Sequence, residues 1–174
     1  MSEVFDNIYT RRSYRNYKSD MVPRDLIEKV CEAGTFAATG MNKQSPIIIA
    51  VTDKETRDSI MNLNASIMGR EGTDPFYGAP VILIVLADKN VSTHVYDGSL
   101  VLGNMMLAAH ELGLGSCWIH RAREEFETEE GKAILKQLGI EGDYEGIGHL
   151  ALGYPDGDEP ALRPRKDDYV YFID

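Results

Sequence analysis

Residues Asp97–Leu112 constrain this chain more than any other segment, because Leu100, Val101, Leu102, Met105, Met106, Leu107, Ala108, Ala109 and Leu112 fall on nearly every side of a single helix. A helix that is apolar all round has to be covered all round, at the centre of a domain or against a second subunit. Gly103 in its middle leaves room for a close neighbour. A chain of 174 residues has few elements with which to wrap a central helix, so a dimer interface is the economical explanation.

The flanking segments supply strands and further helices. Ile47–Thr52 and Pro80–Ala87 are continuous apolar runs rich in β-branched residues, which predicts strands buried on both faces. Ser116–Ile119 and Glu145–Tyr154 are expected as two more strands. Apolar residues at three- and four-residue spacing predict a helix over Arg24–Ala33, entered by Pro23 and ended at Gly34. Glu3–Thr10, a segment from Lys54 towards Met68, and Thr128–Leu138 with its acidic first turn are the other expected helices. Gly113-Leu114-Gly115 follows a helix and leads into a strand, so it stops a helix and is not a dinucleotide fingerprint. The aromatic run Tyr169–Ile173 has no hairpin partner and is expected to pair with a sheet edge, within the chain or across a dimer. The pattern is α+β: one domain over residues 1–174, with helices around a mostly antiparallel or mixed sheet.

Charge and cysteine content exclude several classes. A net charge of −10 argues against nucleic acid, which demands a basic face. Cys31 and Cys117 are too few for a disulfide framework, and His94, His110, His120 and His149 are scattered without metal-ligand spacing. No apolar run reaches the roughly 20 residues that span a bilayer. Together with a start that lacks a signal-peptide pattern, this leads to the expectation of a cytoplasmic protein with no membrane partner.

Against that acidic background, Arg11, Arg12, Ser13 and Arg15 put three guanidiniums and a hydroxyl within five residues. Guanidinium forks match phosphate oxygens, although an exposed charge run would read the same way. A second basic cluster, Arg163, Arg165 and Lys166, lies near the other end, so a phosphate held between the two ends is a reasonable expectation. The loop Ala38–Pro46 combines a glycine with polar amides that suit a heteroaromatic ring, or simply makes a turn. No triad elbow, P-loop or metal motif is present. An enzyme of this kind would draw its reactivity from an organic cofactor, and no side chain stands out as a dedicated catalytic acid or base.

Five motifs occur in order: Arg-Arg-Ser-x-Arg-x-Tyr from Arg11, Thr-Gly-Met-Asn-x-Gln from Thr39, Tyr-Gly-Ala-Pro from Tyr77, Leu-Gly-Leu-Gly-Ser-Cys-Trp-Ile from Leu112, and Gly-Tyr-Pro from Gly153 with a late Arg-Pro-Arg. This series resembles the FMN-dependent nitroreductase family over essentially the whole chain. The resemblance implies a three-layer α+β fold in an intertwined homodimer with FMN at its interface. It assigns Arg11, Arg12, Ser13 and Arg15 to the FMN phosphate, ribityl chain and pyrimidine edge, with Arg163 and Arg165 completing the phosphate site. Thr39, Gly40 and Asn42 border the isoalloxazine of the partner's site, and Ile119 and His120 approach its N5 edge through their backbone. Asn64 is a further candidate cofactor contact in a segment that varies within the family, and Phe76 and Tyr77 are candidates to line the substrate face or else ordinary packing residues.

The implied activity is ping-pong reduction of nitroaromatics, quinones or similar electron-poor small molecules, with NADH or NADPH as reductant. The chain departs from the family in having Gln44-Ser45-Pro46-Ile47 where many relatives have Gln-Pro-Trp, and in being short. A reductive dehalogenase on the same scaffold, a flavin-storage module without turnover, and an acidic interaction protein without cofactor are the alternatives.

Overall fold

The computed structural model of the chain describes residues 2–173. Its centre is β2 (Val81–Asp88), in which seven of eight residues are buried. The strand is sandwiched, as its unbroken apolar run predicts. Val81, Leu83, Val85 and Ala87 join one hydrophobic core, and Ile82, Ile84 and Leu86 join another on the opposite face. The alternation follows from strand geometry, which turns successive side chains to opposite faces.

The sheet has four strands in the order β1-β2-β4-β3, with β1 Pro46–Val51, β3 Gly115–Ile119 and β4 Tyr144–Gly153. Every pairing is antiparallel. Helices α2 (Arg24–Thr35) and α4 (His94–Glu111) cover one face through Ile27, Val30, Leu102 and Met105. The other face is covered by α3 (Lys54–Ile67), α5 (Ala122–Glu127) and α6 (Glu129–Gln137), through Ile60, Phe126, Ile134 and Leu135. The result is the expected three-layer α+β arrangement. A short helix α1 (Glu3–Thr10) and 3-10 turns at Gly40–Asn42 and Asp167–Tyr169 complete it.

Local chemistry explains the boundaries. Asp53 caps α3 by accepting the Thr56 N–H at 2.8 Å, and Thr128 caps α6 by accepting the Gly131 N–H at 3.1 Å. Gly113, at φ +72°, closes α4, and Leu114 N–H reaches back to Ala109 O at 2.8 Å, the six-to-one bond of a Schellman stop. Gly34 does not end α2 as expected. It lies buried inside the helix, where a Cβ would sit 2.8 Å from Met105 Cγ, so its role is to let α2 approach α4. Helix α5 was not expected from its charged sequence.

The face of α4 that meets the sheet carries Val101, Leu102 and Met105, while Leu100 is exposed. The close approach occurs at Gly98, where a Cβ would fall 2.6 Å from Ile147 Cγ1, whereas the space at Gly103 is open. The aromatic tail pairs with no strand among the described residues, and Tyr171, Phe172 and Ile173 lie largely in solvent. Val4, Phe5, Ile8, Tyr9, Phe36 and Tyr96 add to this uncovered apolar surface. Among the described residues, no helix is long and apolar enough to cross a membrane.

Candidate functional site

The first basic cluster leads onto the free edge of β3, where the following residues also cross the chain after β4. After α1, Ser13 pairs with Ser116, and Tyr14 N–H donates to Ser116 O at 3.0 Å. Four residues on, Lys18 N–H donates to Tyr154 O at 3.0 Å, and Asp156 N–H donates to Asn16 O at 3.1 Å. Tyr17 locks this crossing: it is buried, and its hydroxyl donates to Tyr14 O at 2.9 Å. Burial pushes the Tyr17 phenol far above its ordinary value, so it stays a neutral donor.

Within this frame, Arg11 is half-buried and its Nη1 has no hydrogen-bond partner. Arg12 donates through Nη1 to Tyr9 O at 2.7 Å and to Arg11 O at 2.9 Å, yet its buried Nε is also unpartnered. Buried donors are nearly always satisfied, so two orphans on adjacent arginines need a partner. The Arg11 guanidinium is held below its ordinary value, first by burial, then by the charge of Arg12, and to a lesser degree by that of Arg165. Arg165 therefore shares this site's electrostatics. Arg163 is exposed. Arg15 lies with its guanidinium 5.9 Å from the centre of the Tyr77 ring, a cation–π pair.

The loop bearing Thr39, Gly40 and Asn42 is held by Asp97 at the start of α4. Its carboxylate accepts the Gly40 N–H, the Ser45 hydroxyl and the Thr93 hydroxyl, each at 3.0 Å. Thr39 Oγ1 accepts the Gln44 N–H at 3.1 Å. Met41, Asn42 and Gln44 all have positive φ, at 51°, 54° and 50°. Such conformations persist in non-glycine residues where the surroundings enforce them. Here Asp97 supplies the enforcement, and Gly40 permits it, because a Cβ would lie 2.3 Å from Thr93 Oγ1.

At the C-terminal end of β3, Ile119 is buried and His120 is exposed. Asn64 lies beneath them with no exposed surface. Its Nδ2 donates to His120 O at 3.0 Å and to Glu125 Oε1, and its Oδ1 accepts from Arg121 Nε at 2.8 Å. Its amide is thus engaged within the chain and orients His120 and Arg121. Phe76 takes the packing alternative. It is fully buried and packs edge-on against His149 at 5.3 Å, so it presents no surface to a substrate. Tyr77, at φ +58°, is 40% exposed and lines a cleft with His120 and Arg121.

Asp97, Glu125 and His149 were not singled out in the sequence as positioning residues. Asp97 carried a weak signal, as an acid at the start of an apolar helix. His149 sits at a buried position of an otherwise apolar strand, and Glu125 lies in a stretch of acids with nothing to distinguish it.

Comparison with known proteins decides the family. The model of the nitroreductase family matches residues 8–154. The chain belongs to the nitroreductase family. A relative from Archaeoglobus fulgidus, named as an NADH dehydrogenase/NAD(P)H nitroreductase, is 32% identical over 160 residues, covering 89% of this chain and 87% of its own. An FMN reductase [NAD(P)H] of Bacillus subtilis is 26% identical over 188 residues, covering 95% of this chain and 70% of its own. Among solved structures, a nitroreductase with bound FMN from Bacteroides fragilis superposes with a TM-score of 0.89 at 28% identity, covering all of both chains. One from Desulfitobacterium hafniense, also with bound FMN, gives 0.86 at 26% identity, covering 99% of this chain and all of that one. The nitroreductase fold expected from the motif order is thus the fold observed.

Proposed function

We propose that this nitroreductase-family protein is a cytoplasmic homodimer that holds FMN at its interface and uses NADH or NADPH to reduce nitroaromatic, quinone or similar electron-poor molecules. The observation that carries the proposal is the pair of unsatisfied guanidinium donors, Arg11 Nη1 and Arg12 Nε, set beside Arg165 on an acidic chain. A dianionic phosphate would satisfy the donors and relieve the repulsion among the three cations. The residues present therefore fit FMN.

In this proposal Arg11, Arg12, Arg163 and Arg165 hold the phosphate, and Ser13 and Arg15 meet the ribityl chain and pyrimidine edge. Thr39, Gly40 and Asn42 are contributed to the other subunit's site. Their loop is preshaped by Asp97, so little order has to be gained on association. The backbone at Ile119 and His120 borders the reactive edge, where Asn64 fixes the peptide by bonding His120 O. FMN would supply the redox chemistry, accepting hydride from the nicotinamide and passing two electrons to the acceptor in a ping-pong cycle. The chain's part is orientation and electrostatics, with no dedicated acid or base. The uncovered apolar residues of α1, the exposed Leu100 of α4 and the aromatic tail support the dimer.

The test is flavin retention. Arg11→Ala combined with Arg163→Ala is expected to purify without FMN and to rebind it weakly, because each charge-assisted bond lost costs about 1.5–3 kcal/mol. Full flavin occupancy in the double variant would overturn the phosphate assignment.

A further inference from the structure

A cleft of about 360 Å³ opens beside the end of β3, with Arg70, Asp74, Tyr77, Trp118, His120 and Arg121 in its lining. On a chain of net charge −10, its electrostatics run the other way. Asp74 is the one acid in the lining. Its carboxylate is already engaged by the Arg57 guanidinium and by the N–H groups of Phe76 at 2.8 Å and Gly78 at 2.9 Å. Arg70 makes no ion pair and no side-chain hydrogen bond among the described residues. Arg121 commits only Nε, to Asn64 Oδ1 at 2.8 Å, which leaves its terminal nitrogens uncommitted.

The posture of Arg121 is maintained against its own preference. Its φ is +79°, a left-handed conformation that a side chain longer than glycine adopts at a cost. The fully buried Asn64 holds it there, and Glu125 Oε1 holds Asn64 in turn. Two cations that make no ion pair among the described residues, beside the half-exposed ring of Tyr77, suit a planar reactant that carries an anionic group.

We infer that this cleft is an anion subsite: Arg70 and Arg121 select a phosphate or carboxylate on a reactant that meets the protein at His120. The inference rests on the reductase proposal and deepens it, because the anion belongs either to the nicotinamide nucleotide, as a 2′-phosphate, or to the acceptor. The same donor chemistry serves both.

Calorimetric titration of the oxidised, flavin-supplemented protein separates the two sources without requiring turnover. The probes are NADP⁺ against NAD⁺, and 4-nitrobenzoate against 4-nitrobenzyl alcohol, each with the unmodified chain, Arg70→Gln and Arg70→Lys. In one of the two pairs the anionic member is expected to bind better. Arg70→Gln is expected to cut that preference by about tenfold, the equivalent of one charge-assisted hydrogen bond, and Arg70→Lys to restore part of it. Preference in the first pair assigns the subsite to the nucleotide, and in the second to the acceptor. Equal affinities in both pairs, including no detectable binding, or a preference that survives Arg70→Gln, overturn the inference. Flavin reduction by NADH and NADPH is scored on the same preparation. Flavin that is reduced without any anion preference contradicts the subsite alone, whereas flavin that stays oxidised contradicts the reductase proposal.

Discussion

Glu125 and His149 are joined beneath the end of β3, Oε2 to Nε2 at 2.8 Å, with 1% and 0% of their side chains exposed. Through Asn64, the same carboxylate fixes His120 O and Arg121, so a pair far inside the sheet sets the backbone at the proposed reactive edge. His149→Ala leaves the carboxylate buried with one partner removed. Breaking such a pair costs about 3–5 kcal/mol, equivalent to a Tm lowered by roughly 6–20 °C in a chain of this size. Thermal unfolding followed by circular dichroism checks this, and a loss below about 1 kcal/mol would mean the pair contributes nothing of this kind.

Gly146 allows a close approach of α5 to β4. A Cβ there would lie 2.1 Å from Ala122 O and 2.8 Å from Arg123 N, both backbone atoms that cannot swing aside. Gly146→Ala is expected to push α5 outward, with Arg121 at its N-terminus, and to destabilise by about 1–3 kcal/mol in a denaturant titration. An unchanged midpoint would show that the contact relaxes freely.

Much of this arrangement was legible in the chain, for identifiable reasons. β2 was predicted because the continuous apolar run Pro80–Ala87 has to be buried on both faces, and Val81–Ala87 are. Gly113 was predicted to stop α4, and does so at positive φ. What was not legible shares a cause. Gly34 was read from local chemistry, and Asn64 and Phe76 from the family resemblance, but their surroundings are set by distant segments: Met105 against Gly34, His149 against Phe76, and Glu125 with Arg121 around Asn64. Helix α5 was hidden because its acids read as surface. Only the fold shows that Glu125 and Phe126 turn inward. A meeting of the chain's two ends was anticipated from charge alone, and Arg165 does lie close enough to bear on Arg11, yet the device that brings the ends together, residues 13–18 laid along β3 and the chain after β4, depends on backbone pairing that no motif announces.

Asp97 holds the loop proposed to serve the second subunit. Asp97→Ala removes the acceptor for Gly40 N–H, Ser45 and Thr93. The amides of Gly40 and Gln44 are expected to exchange with solvent at least tenfold faster, the equivalent of about 1.4 kcal/mol of lost local stability. Unchanged exchange at Gly40 would show that the turn is stable without its anchor.

Gly103 separates a lone chain from a dimer. No atom lies within 4 Å of a Cβ built there, so in a monomer Gly103→Ala is expected to stabilise α4 by about 0.5–1 kcal/mol. If a second copy packs closely on this face, the same change weakens association instead. Sedimentation velocity across a dilution series reads the difference, and the proposed homodimer predicts a weaker dimer.

The central claim is that this chain holds FMN and reduces it with a nicotinamide cofactor. Absorbance of the purified protein, supplemented with FMN if colourless and titrated anaerobically with NADH and then NADPH, tests it most directly. Bound-flavin bands that bleach on addition of either nucleotide are the predicted result. A flavin that stays oxidised with both, or a protein that binds no flavin, would contradict the account.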